Sequence, residues 1–173
     1  MSAISFRPVL PADAETLAEL YIASIEQLAE EDYSPQQCTA WASFGEDSRQ
    51  FGVFLGGFLT ILAERNGEVL GFASLKDNTH IKMLYVAPEH ARQGIGKALV
   101  EVMELLARQR GAEAMTVDAS ETAYELFDKL GYERQARNTI LIADEWLANT
   151  TMKKQLPAAD GRCGVCNGFI FQK

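Results

Sequence analysis

The sequence has no long apolar run, since its longest uncharged stretch, Gln50 to Ala63, is too short to cross a bilayer as a helix. Its start, MSAISFRPVLPADAE, lacks the basic opening and apolar core of a secretion signal. Cysteine is scarce: the three present, Cys38, Cys163 and Cys166, are odd in number and unevenly spaced, which is not a disulfide framework. There is no excess of positive charge either. The 16 Lys and Arg stand against 24 Asp and Glu, a net charge of −8. That argues against nucleic acid, whose recognition depends on clustered basic residues. It slightly favours a cationic or neutral substrate, although acidic charge mainly keeps a protein soluble. No internal repeat or low-complexity tract is present. These absences predict a cytoplasmic chain with no membrane or nucleic-acid partner. At 173 residues it suits one domain, and a domain of that size buries about 70% of its unfolded surface.

What is present concentrates between Met83 and Leu99, MLYVAPEHARQGIGKAL. Ile81, Met83 and Tyr85 alternate with Lys82, Leu84 and Val86 as a half-buried strand requires, and Pro88 then stops the ladder. Gly94 and Gly96 let backbone approach a ligand closely, while Ile95, Leu99, Val102 and Leu106 form a helical stripe behind them. The first-turn N–H groups and the positive end of the helix dipole therefore face whatever lies over Gln93 to Lys97, and a phosphate suits that position. Two known phosphate loops do not fit. A Walker loop needs Ser or Thr after its lysine, where Ala98 stands, and a dinucleotide fingerprint needs a third glycine, where Leu99 stands.

Elsewhere, Ile4 to Val9 reads as an opening strand, and Asp13 can cap a helix with Leu17, Leu20, Tyr21, Ile25 and Leu28 on one face. Ser34, Pro35 and Gln37 form a capping box for a second helix carrying Trp41. Asn66-Gly67 marks a hairpin between the second and third strands. Gly111 offers a left-handed end to the helix after the Gly loop, Ala114 to Ala119 is the next strand, and Ser120 caps a helix ending at Gly131. Tyr132 to Ile142 and Thr150 to Lys154 read as closing strands, with a looser connection around Asp144 to Asn149. The mixture predicts an α+β fold with one mixed sheet.

The run Ala91-Arg92-Gln93-Gly94-Ile95-Gly96 resembles the acyl-CoA pyrophosphate loop of the GNAT superfamily of N-acetyltransferases, with Ala91 departing from the pattern at its first position. Thr116 to Ser120 followed by Tyr124-Glu125-Leu126-Phe127-Asp128-Lys129-Leu130-Gly131-Tyr132 is similar to that family's fifth strand and the helix after it. Tyr33-Ser34-Pro35-Gln36-Gln37 and Ala40-Trp41 resemble one bacterial branch. The resemblance spans roughly residues 3 to 155. It implies a GNAT domain over residues 1–155, a mixed central sheet of six to seven strands flanked by helices, and strands four and five splayed apart. Residues 156–173 are then a C-terminal extension.

By that resemblance the activity is transfer of the acetyl group of acetyl-CoA, a cosubstrate, to a primary amine by direct attack. Arg92, Gln93, Gly94, Ile95, Gly96 and Lys97 would hold the pyrophosphate, and the backbone of Leu84, Tyr85 and Val86 would pair with the pantetheine arm. A strand-four N–H would meet the developing oxyanion. The family's usual tyrosine acid is replaced by Phe127. Tyr124 one turn earlier, or Tyr132, is then the candidate proton donor, against the alternatives that Tyr124 only packs and that water protonates the thiolate. An amine with pKa of about 10 must also lose a proton. His80 is the candidate base, with Asp118 as runner-up, while His90 is expected to bond backbone in its turn. Tyr33, Trp41, Phe44, Phe51, Phe54 and Phe58, interleaved with acids, could line an acceptor pocket or simply fill the core.

Cys163 and Cys166 supply two thiolates where structural zinc needs four, so no metal is expected. The Gly-Phe-Ile-Phe end reads instead as a docking tail. The expected partner is a small-molecule or peptide amine, with a homodimer also open. The rival reading is a non-catalytic acyl-CoA-binding sensor or interaction module, which Phe127 keeps in play.

Overall fold

A computed structural model describes residues 3–158; the Cys163 and Cys166 pair and the tail lie outside them. The strands are β1 (Ser5–Pro8), β2 (Leu59–Arg65), β3 (Glu68–Lys76), β4 (His80–Val86), β5 (Ala114–Ser120), β6 (Glu133–Ile142) and β7 (Glu145–Gln155). The helices are α1 (Ala14–Leu28), α2 (Pro35–Ala42), α3 (Ser48–Gly56), α4 (Ile95–Gln109) and α5 (Glu121–Lys129). One seven-stranded sheet runs β1-β2-β3-β4-β5-β7-β6, and every neighbouring pair is antiparallel except β4 with β5. This is the GNAT fold that the resemblance implied.

Each face of the sheet carries its own core. On one, α4 lays Ile95, Leu99, Val102 and Met103 against Ile61, Leu70, Ile81, Met115 and Val117, and Phe127 of α5 joins them. On the other, Leu17, Tyr21 and Ile25 of α1 and Phe51 and Leu55 of α3 cover Leu62, Phe72 and Met83. Among the described residues no helix is long and apolar enough to cross a membrane.

Local signals explain most element ends. Asn66 and Gly67 both take positive φ in the β2–β3 turn, as a two-residue hairpin demands. Ser34 Oγ accepts from Gln37 N–H at 3.2 Å and the Gln37 side chain accepts from Ser34 N–H at 2.8 Å, closing the capping box. Three expectations need correction, and one helix was not foreseen. Asp13 stands at the head of α1 but makes no cap, because its carboxylate accepts from Leu10 N–H at 2.7 Å and from Arg7 at 2.8 Å. The stretch before β2 contains a third helix, α3, capped by Asp47 accepting from Gln50 N–H at 3.0 Å. The loose segment around Asp144 to Asn149 is mostly strand, since β6 and β7 meet through the tight turn at Ala143 and Asp144. Strict alternation in β4 also fails. Met83 faces Ser74 and Ile81 faces Leu75, which leaves Lys82 as an extra residue in a bulge. The bulge sends Ile81 to the α4 face and Met83 to the α1 face.

Candidate active site

That bulge opens the sheet. β4 pairs with β5 only at His80 with Thr116 and Ile81 with Val117, and beyond Ile81 the two strands diverge. β5 continues on its other side against β7 as far as Ser120 and Asn149. The β5-facing backbone edge of Lys82 to Val86 is thus free to pair with an extended ligand. A cleft of about 390 Å³ fills the wedge, with Leu84, Tyr85 and Val86 on one wall and Val117, Asp118 and Ala119 on the other.

α4 starts at the open end of this wedge. Its N-cap is Gly94, at φ 84° and without a side chain to cap the first turn. The N–H groups of Ile95, Gly96 and Lys97 are therefore left for a ligand, with the helix dipole behind them. Arg92 (φ 59°) and Lys97 add positive charge to the cleft wall. A Cβ on Gly96 would come within 3.2 Å of Leu126 Cδ2, so glycine lets α4 and α5 approach closely here. Backbone donors, local cations and an unpaired strand edge suit a ligand with a phosphate head and an amide-bearing arm.

Across the cleft, Ser24, Ile25 and Leu28 of α1, Ala29 just after it and Trp41 of α2 form a mostly apolar wall. Trp41 is fixed at both ends. Its Nε1–H donates to Tyr85 Oη at 3.2 Å and its carbonyl accepts from Tyr21 Oη at 2.9 Å. Burial pushes the Tyr85 and Tyr21 phenols well above their usual range, which keeps both neutral. Near the point where β4 and β5 part, His80 Nδ1 hydrogen-bonds Thr116 Oγ1 at 2.9 Å, and His80 Nε2 lies 3.9 Å from Asp118 Oδ2. Burial lowers the His80 pKa below the ordinary imidazole value; Asp118 opposes this and Lys82 and Lys76 reinforce it. An imidazole held neutral beside a carboxylate can take a proton from a cationic amine.

A model of the GNAT acetyltransferase domain matches residues 29–156. The chain belongs to the GNAT acetyltransferase family. Among its relatives, the uncharacterized N-acetyltransferase YafP of Escherichia coli K12 is 29% identical over 153 residues, covering 88% of this chain and 97% of that protein. A GCN5-related N-acetyltransferase from Rhodopseudomonas palustris, known from a crystal structure, is 49% identical with a TM-score of 0.87, covering 90% of this chain and 98% of that one. The protein yncA from Salmonella typhimurium, solved with acetyl-CoA, shares the fold at a TM-score of 0.61 and 23% identity, over 94% of this chain and 97% of that one.

Within this GNAT frame, Leu84, Tyr85, Val86, Arg92, Gly94, Ile95, Gly96 and Lys97 all line the cleft. Gln93 does not, because its side chain turns back to donate to the Glu89 carbonyl at 3.1 Å. Tyr124 is not brought to the cleft either. It packs on the α4-side core, while Ala123, Leu126 and the fully buried Phe127 present the α5 surface that faces the cleft. Tyr132 is buried against Phe127 with ring centroids 5.1 Å apart. His90 meets the Glu68 carboxylate at 2.9 Å rather than backbone. Of the early aromatic residues only Trp41 lines this cleft; Phe51 is fully buried, and Phe44 packs edge-on against both Phe51 and Phe54. Sequence reasoning missed Lys82, Ser24 and Thr122 in the lining, and Thr151, whose hydroxyl donates to Asp118 Oδ1 at 2.6 Å. Cross-strand register alone reveals the last of these.

Proposed function

We propose that this GNAT protein transfers the acetyl group of acetyl-CoA to a primary amine by direct attack, with His80 as the base and Asp118 beside it. The reading rests on one observation: a single cleft in the β4–β5 wedge runs from the uncapped start of α4 to Asp118, and His80, which does not itself line that cleft, lies 3.9 Å from Asp118 where the two strands still pair. The first-turn N–H groups of α4, with Arg92 and Lys97, hold the pyrophosphate, and the Lys82 to Val86 edge aligns the arm. Bound acetyl-CoA supplies a thioester carbonyl and a thiolate leaving group. Asp118 receives the incoming ammonium, and His80, neutral at pH 7, takes its proton so that the nitrogen lone pair can attack. A β4 backbone N–H faces the developing oxyanion. No phenol of this chain is assigned to the departing thiolate. A thiol with pKa of about 8.5 takes its proton from water near neutrality.

Thiol release from acetyl-CoA over a panel of primary amines tests the proposal. The expected result is turnover whose kcat/KM falls as pH drops through a midpoint below about 6.5, the ordinary imidazole value, and His80→Gln loses that acid limb. Acetyl-CoA binding without turnover on any amine would favour the non-catalytic sensor.

A further inference from the structure

The Asp118 carboxylate is not free to choose its position. Thr151 Oγ1 donates to its Oδ1 at 2.6 Å, while its other oxygen, Oδ2, stays 3.9 Å from His80 Nε2. Behind Thr151, Asn138 Nδ2 donates to Thr151 Oγ1 at 2.8 Å and to Asn149 Oδ1 at 2.9 Å. Asn138 fills the acceptor side of the Thr151 hydroxyl, so its one proton is directed at Asp118. Antiparallel register builds this chain, since Thr151 is the Cα partner of Asp118 and Asn138 that of Asn149. It crosses four strands: β4 carries His80, β5 Asp118, β7 Thr151 and β6 Asn138.

The separation matters for chemistry. At 3.9 Å the imidazole nitrogen and the carboxylate oxygen are too far apart for a direct hydrogen bond. A single nitrogen placed beside both can contact each. A carboxylate released from Thr151 has the imidazole as its neighbour and would close on it, and such a contact raises the imidazole pKa.

We propose that Thr151 and Asn138 are positioning residues that hold Asp118 away from His80 and keep the space between the two groups open for the acceptor nitrogen. This rests on the base assignment made above, but its test needs no turnover. The charged groups around His80 are Asp118 on β5, Lys82 on β4, Lys76 at the end of β3 and Asp77 in the turn that follows it. On β7, Lys153 is the Cα partner of Thr116. None of them changes in the variants below except Asp118.

The chain has two histidines, so NMR titration of the full protein resolves His80 from His90, and a His90→Gln variant assigns the signals. Thr151→Val should raise the His80 midpoint by at least about half a unit. Thr151→Ser, which keeps the hydroxyl, should restore it, and Asn138→Ala should raise it by less. The shift should vanish when Thr151→Val is combined with Asp118→Asn. An unchanged His90 midpoint and an intact amide spectrum report that each variant folds. The proposal is overturned if Thr151→Val leaves His80 within about a tenth of a unit of wild type, or if the shift survives in the Asp118→Asn background. Failure of the thiol-release assay alongside the expected shifts would remove the acetyltransferase reading and leave this geometry standing.

Discussion

Two glycines in the α4 entry have separate jobs that substitution can distinguish. Gly94 sits at φ 84° with nothing within 4 Å of where a Cβ would stand, so alanine there meets only backbone strain. A left-handed L-residue costs about 1–2 kcal/mol, and Gly94→Ala should lower unfolding stability by that order in a denaturant titration. Gly96 has ordinary helical backbone, but its Cβ would press on Leu126 Cδ2 at 3.2 Å and approach Val86 Cγ2 at 3.7 Å. Alanine there gains helix propensity worth about 0.5–1 kcal/mol, which offsets the crowding. Gly96→Ala should therefore leave stability near wild type while weakening coenzyme A binding about tenfold or more by calorimetry, because it narrows the wall between α4 and α5. A loss of stability in Gly96→Ala equal to that of Gly94→Ala would contradict this division. The sequence already marked both glycines. It could not mark Gln93 as turned away or Thr151 as the partner of Asp118, because those depend on rotamer and on strand register.

The element that ties the apolar helical wall of the cleft to the rest of the molecule is the turn between α1 and α2. Tyr33, at 7% exposure, donates to the Ala148 carbonyl of β7 at 2.7 Å and accepts from the Glu121 N–H that opens α5 at 2.9 Å. One phenol thus joins three elements around the cleft. Removing it leaves a half-buried carbonyl and a helix-start N–H without that partner, and a lost hydrogen bond costs about 0.5–1.5 kcal/mol. Tyr33→Phe should destabilise the fold by that order and speed amide hydrogen exchange at Glu121; unchanged exchange there would show that α5 does not depend on the clamp. Capping signals, the Asn-Gly hairpin and the helical stripes made most elements legible in advance, since each is set by a few adjacent residues. α3 and the continuous β7 were not. Phe51 and Leu55 gain their helical role only by packing on Tyr21 and Phe72, and Trp146 and Leu147 gain a strand role only by pairing with Leu141 and Ile140. The β4 bulge escaped for the same reason, since alternation in one strand says nothing about the register of its neighbour.

Taken whole, an acidic molecule of net charge −8 offers an anionic coenzyme no favourable long-range field. On the proposed assignment attraction is local, through the free N–H groups of α4 with Arg92 and Lys97 at short range, where screening over a Debye length of about 8 Å acts least. Binding there also couples to the fold, because the cleft is built from both helical layers and the parted strands. Saturating ligand at about 100 times its Kd adds about 2.7 kcal/mol of stability. The most direct test of the account is a calorimetric titration of acetyl-CoA into the full-length protein. It should show one saturable site per chain, weakened by Gly96→Ala. Well-folded protein that gives no saturation at millimolar acetyl-CoA would contradict the assignment of the α4 entry and the β4–β5 wedge as its seat.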